Sequence, residues 1–186
     1  MINSYFVILA AFINVVGGQT YFIDTLKGRV KPNKVTWLLW AIAPFIVFAA
    51  EIKQGVGIQS LMTFMVGFNP LIIFLASFVN KKSHWQITRF DVICGMLSVC
   101  GLLLWFLTKT ANIAILFSIA ADLLAGIPTV VKSYRNPETE DYRIFLFGAI
   151  SAAITLLTIQ NWNIANYAFP LYIFLFCVPM VVLIKR

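Results

Sequence analysis

Seven apolar runs, at 4–23, 35–50, 57–79, 91–108, 111–131, 144–159 and 165–184, follow one another with only short polar segments between them. Each is 16 to 23 residues long, and a helix needs roughly 20 residues to cross a bilayer. The pattern predicts an all-α integral membrane protein with seven transmembrane helices. In a chain of 186 residues this leaves too little for a soluble catalytic domain, a nucleotide-binding fold or a long binding loop. Only 11% of the residues are charged, against roughly 25% in soluble domains. The second and sixth runs, 16 residues each, are short for a bilayer and need Asn33 and Lys34, or Tyr142 and Arg143, to reach the interface.

The charges lie mainly between the runs. Lysine and arginine outnumber the acids 14 to 7, for a net charge of +7. Basic residues confined to short loops report membrane orientation rather than nucleic-acid binding, and no nucleic-acid partner is expected. Counted on alternate sides, they total 2 and 12. The positive-inside rule then places the N-terminus outside and the C-terminus in the cytoplasm. The first run has no basic segment before it and five charged residues closely after it, so it reads as a retained helix and not a cleaved signal. Cys94, Cys100 and Cys177 have neither disulfide nor metal-ligand spacing, and His84 has no ligating neighbour, so no metal or cofactor is expected.

Local signals mark helix ends. Thr88 with Asp91 three residues on is a capping-box pattern at the start of the fourth helix. Pro137, Glu138, Glu140 and Asp141 place a turn and three acids before the sixth, where the helix dipole favours negative charge. Asp24 and Glu51, beside lysines at loop edges, read as solvated interface charges.

Shifting the chain on itself by 108 residues lays helices 1 to 3 over helices 5 to 7. Gly18 then meets Gly126, Leu38 Leu146, Ala41 Ala149, Ile42 Ile150, and the polar Asn14 meets Asp122. A one-residue slip brings Pro70 over Pro179. The expected organisation is a first three-helix repeat at 1–80, a linker helix within 81–110, and a second repeat at 111–186. The linker restores the first copy's orientation, so the two bundles are parallel, a 3+1+3 plan with its site between them near the midplane.

Pro128-Thr129-Val130-Val131-Lys132-Ser133-Tyr134-Arg135, followed by Thr139-Glu140, resembles the cytoplasmic-end motif of the PQ-loop and SWEET superfamily. That motif is a proline-glutamine pair, a basic and aromatic stretch, and a Ser/Thr before the next helix. The segment Lys31-Pro32-Asn33-Lys34-Val35-Thr36-Trp37-Leu38-Leu39-Trp40 is similar to an uncharacterised bacterial branch of that clan. The resemblance covers nearly the whole chain as topology and about a dozen residues as motif. It implies two three-helix bundles, an outside N-terminus, a bacterial cytoplasmic membrane and carriage of small solutes such as sugars or amino acids. The chain departs from it at Thr129, where glutamine is usual, and at Thr20-Tyr21, which stand for the pair in the first copy. Of the four hinge prolines of SWEET-like proteins it keeps Pro44 and Pro128, with Thr20 and Ala152 at the other two positions.

Asp122 is the most informative single residue, because a carboxylate near the bilayer centre costs roughly 2.5 to 3.5 kcal/mol and belongs in the bundle interior. It serves as a proton acceptor for coupled transport, a ligand for a substrate hydroxyl or amine, or a structural carboxylate. Asn14, its repeat partner, suits an interhelical hydrogen bond. Asn69 precedes Pro70, which frees a carbonyl one turn earlier; the resemblance makes a third-helix asparagine a substrate ligand. Trp37, near Lys34, reads as an aromatic-belt residue, whereas Trp40, a turn deeper, either stacks on a solute or packs. Trp85, Trp105 and Trp162 read as belt residues, and Tyr167 and Tyr172 as lining of an outer half-cavity or interface tyrosines.

No hydrolase set is visible, and the chain is not read as an enzyme. The expected function is transport of a small polar solute by rocking one bundle against the other, with Pro44, Pro70, Pro128 and Pro179 as bending points. The alternative is a non-transporting receptor or assembly protein of the same topology. The lipid bilayer is the expected partner, and no oligomeric state is legible.

Overall fold

The computed structural model describes residues 2–83, 85–108 and 110–186, without the side chains of Gly101, Leu104, Trp105, Phe106 and Thr108. His84, Lys109 and the Trp105 ring, all interpreted above, lie outside the described residues. The described chain forms seven α-helices: α1 (Phe6–Leu26), α2 (Lys34–Lys53), α3 (Ser60–Ala76), α4 (Arg89–Thr108), α5 (Ala111–Arg135), α6 (Tyr142–Thr158) and α7 (Ile164–Lys185). Two single 3-10 turns, Lys81–Ser83 and Pro137–Thr139, precede α4 and α6. By length and composition, α1, α2, α5 and α7 are apolar enough to cross a membrane. At 17 residues each, the apolar α3 and α6 are shorter.

Several helix limits differ from the apolar runs. α2 is 20 residues long, not 16, because Lys34 opens it under an Asn33 cap and it runs on through Glu51 to Lys53. α3 loses residues at both ends of its run and falls to 17. α5 continues four residues past its apolar run to Arg135, which carries Lys132 into helix rather than loop. Asn33 accepts from the Val35 and Thr36 amides, Asp141 caps α6 by accepting from Arg143, and Asn163 caps α7 by accepting from Asn166. The Thr88–Asp91 capping box forms as expected: the Thr88 amide donates to Asp91 at 2.6 Å and the Asp91 amide to Thr88 at 3.3 Å.

α3 packs against both α1 and α2, α7 against both α5 and α6, α1 faces α6, and α2 faces α5. α4 lies on α5 and α2, where Ser98 donates to the Ala121 carbonyl at 2.7 Å. Close approach needs small residues at the crossings. A Cβ on Gly17 would come within 2.7 Å of Phe147 on α6, and one on Gly95 within 2.7 Å of Val35 on α2. Beside an apolar core, the interior also holds Asn14, Asp122, Thr36, Thr63, Ser118, Ser151 and Thr155, while Phe12, Leu103, Leu175 and Val182 are at least 59% exposed, an inverted placement for these residues relative to a soluble protein.

Candidate functional site

A central cavity of about 70 Å³ lies where α1, α2, α3, α5, α6 and α7 converge. Asn14, Asn69, Trp40 and Asp122, drawn from four different helices, all line it. The structure therefore brings together the four residues that the sequence singled out for binding or coupling.

Their placement follows from packing at glycine and from local hydrogen bonds. Asn69 lies directly over Gly18, where an added Cβ would overlap its amide. From there its Nδ2 donates to the Asn14 side chain at 2.7 Å and to the Asn14 carbonyl at 2.9 Å, the interhelical bond expected of Asn14. At Gly126, Phe176 of α7 and Trp40 of α2 occupy the space over the backbone, at 3.0 and 3.1 Å from a built Cβ. The Trp40 indole donates to the Asp122 carbonyl at 3.0 Å, and the Tyr172 hydroxyl donates to Asp122 Oδ2 at 2.7 Å. Asp122 Oδ1 and Asn69 Oδ1 are buried without a hydrogen-bond partner. The remaining walls are largely aromatic and aliphatic, with Trp40 edge-on to both Phe145 and Phe176. Among the described lining residues none is Lys, Arg or His.

Trp37 overturns its reading as a belt residue. It is 1% exposed, lines the cavity, and packs on Tyr21 with ring centroids 4.6 Å apart. Its indole N–H has no partner. Sequence reasoning assigned it to the interface because it is close to Lys34, but the Asn33 cap starts the helix so that Trp37 turns inward.

Next to Tyr21 lies a buried ionic cluster that the sequence did not reveal. The Tyr21 hydroxyl donates to Glu140 Oε2 at 2.6 Å, and Lys132 Nζ donates to Glu140 Oε1 at 2.6 Å and to the Lys31 carbonyl. Both charged side chains are almost fully buried, and the Lys132 ammonium also sits 4.9 Å from the Trp85 ring centroid. Glu140 is thus not simply a solvated dipole partner of α6, and Trp85 does more than mark an interface. Beside this cluster Arg143 bridges Asp141 at 3.0 Å and Asp24 at 2.5 Å, and Arg29 reaches Asp24 at 3.2 Å. The Lys31 amide donates to the Thr139 carbonyl at 3.0 Å. These contacts tie α1 and the loop after it to α5 and the segment before α6.

The solvated readings of Asp24 and Glu51 fail. Asp24 is 7% exposed and paired, and Glu51 is 1% exposed, accepting from the Thr63 hydroxyl at 3.0 Å while its Oε2 has no partner. The cause is helical: α1 and α2 each extend three residues past their apolar runs, so both acids stay in helix and face neighbours. Pro44, Pro70, Pro128 and Pro179 all lie inside helices, as does Pro170. Pro70 borders the cavity, Pro44 and Pro128 are buried, and Pro179 lies on a separate apolar groove of about 620 Å³ between α5 and α7. Tyr167 faces that groove and stacks near the exposed Trp162. Thr129 is fully buried with an unpartnered hydroxyl. Cys94 and Cys177 are buried and Cys100 is exposed, all as free thiols.

No family model, curated protein or solved structure matches the chain.

Proposed function

We propose that this protein is an integral membrane transporter that moves a small polar solute through the central cavity by alternating access between two three-helix bundles, α1–α3 and α5–α7. The observation that carries the reading is the cavity itself: two unpartnered acceptor oxygens, Asp122 Oδ1 and Asn69 Oδ1, buried among apolar helices. Leaving such groups unpartnered costs about 1 to 3 kcal/mol each, a cost a bound solute would offset. The inverted burial pattern supports a lipid environment. The pairing of α1 with α6 and of α2 with α5, and the wedge positions of α3 and α7, support a two-fold plan in which each bundle contributes one face to the cavity.

At about 70 Å³ the cavity is smaller than the roughly 300–1,000 Å³ of open ligand sites. This suits a closed stage of the cycle, with the Tyr21–Glu140–Lys132 cluster as the seal toward the end read as cytoplasmic. The decisive experiment is flux through purified protein in liposomes, using sugars, amino acids and organic cations. Uptake of any of them above protein-free liposomes supports the reading; inertness across all three classes favours a receptor or assembly role.

A further inference from the structure

Among its described lining residues the cavity carries one acid and no base. Among the described lining atoms that are fully buried without a partner, Asp122 Oδ1 and Asn69 Oδ1 are acceptors, one of them on an acid, and the Trp37 indole is a donor. A sugar is neutral, and its hydroxyls would leave the charge of an ionised Asp122 uncompensated. An anion would meet a carboxylate with no described Lys, Arg or His on the cavity wall to receive it. An ammonium group has only donors and a positive charge, which matches the two oxygens. Trp40, Phe145 and Phe176 line the same space, and the face of an aromatic ring attracts a cation.

Among the described residues Asp122 has no positive side chain beside it. From α7, Tyr172 donates to Oδ2 and the Cys177 thiol shares the cavity; α2 contributes Trp40 and Trp37, α3 Asn69, and α4, among its described side chains, the Ser98 hydroxyl to the neighbouring Ala121 carbonyl. A buried carboxylate in such surroundings must be neutralised by a proton or by a cation, and Oδ1 is the open position for either. We propose that the central cavity binds a small organic cation, a protonated primary amine, in exchange for a proton on Asp122. The exchange balances in charge: the protonated acid takes up one cation and releases one proton. The proposal rests on the transport reading for its physiological direction, but binding and proton release are separable from flux.

The test uses purified full-length protein in detergent and weak buffer, titrated with methylammonium or ethylammonium chloride while a pH indicator and tryptophan fluorescence are followed. Sodium chloride, glucose and acetate are the comparison solutes. Fluorescence should saturate with the amines alone, with about one proton released per cation bound and roughly tenfold weaker apparent affinity for each pH unit below the titration of the acid. Asp122→Asn should lose both signals, and Asp122→Glu should keep proton release. Saturable glucose binding without proton release, amine binding independent of pH, amine binding retained in Asp122→Asn, or no amine binding to wild type would each overturn the proposal. Liposomes that carry glucose but no amine would leave the transport reading standing without this one. Amine-linked proton release without flux would do the reverse.

Discussion

Asn69 packs onto Gly18 so closely that its amide occupies the place of a Cβ, and this contact holds it in reach of both oxygens of Asn14. Gly18→Ala should therefore push α3 away from α1 and break the Asn69–Asn14 pair. Overpacking of this kind costs about 1 to 3 kcal/mol. Thermal unfolding in detergent should show the loss, while Gly57→Ala, where a Cβ would meet only Gln59 at 3.7 Å, should sit near wild type.

The Lys132–Glu140 pair is buried on both sides, so removing one partner strands a charge. Lys132→Met or Glu140→Gln should each destabilise, the lysine change by about 3 to 5 kcal/mol. The double variant Lys132→Met/Glu140→Gln should recover part of that loss, as a thermodynamic cycle of denaturation midpoints would reveal. Arg29→Ala, by contrast, removes a bridge whose arginine is 67% exposed and should shift stability by less than about 1 kcal/mol.

Trp40 joins α2 to α5 through the Asp122 carbonyl. Trp40→Phe keeps an aromatic wall but loses that bond, and is expected to cost about 0.5 to 1.5 kcal/mol. If the cavity is the transport site, the variant should also raise the solute concentration for half-maximal uptake, whereas Trp162→Phe, on an exposed ring, should leave uptake unchanged.

Topology provides an independent check. A reporter at the N-terminus should be active only outside the membrane and one following Arg186 only in the cytoplasm. Two ends on one side would remove the odd number of crossings and the parallel arrangement of bundles with it.

The sequence made the seven helices legible because apolar length is a local property, and it singled out Asp122, Asn14, Asn69 and Trp40 because a polar or aromatic group deep in an apolar run has few places to go. It failed where helix and apolar run part company. Lys132, Asp24 and Glu51 lie beyond their runs yet remain helical, and a charge counted as loop becomes a charge facing the interior. Their partners lie far along the chain: Tyr21 and Glu140 are 119 residues apart, and Arg143 and Asp24 likewise. No spacing rule links such positions. Trp37 was misjudged for the opposite reason, since the Asn33 cap that turns it inward is a local signal which the neighbouring Lys34 obscured.

In the seal at Glu140, both full charges ride on the same side of the divide. Lys132 ends α5 and Glu140 precedes α6, whereas Tyr21 and the Lys31 carbonyl belong to α1 and its loop. Parting the two sides would leave the ion pair intact and sacrifice the Lys31–Thr139 backbone bond together with a phenol and a carbonyl contact, the last two each worth about 1.5 to 3 kcal/mol as a hydrogen bond to a charge. The Arg143–Asp24 bridge, half-exposed on its arginine and buried on its carboxylate, crosses the same divide. This end of the protein is therefore fastened by a clasp whose counter-ion travels with it, so that parting it strands neither Lys132 nor Glu140 without its opposite charge.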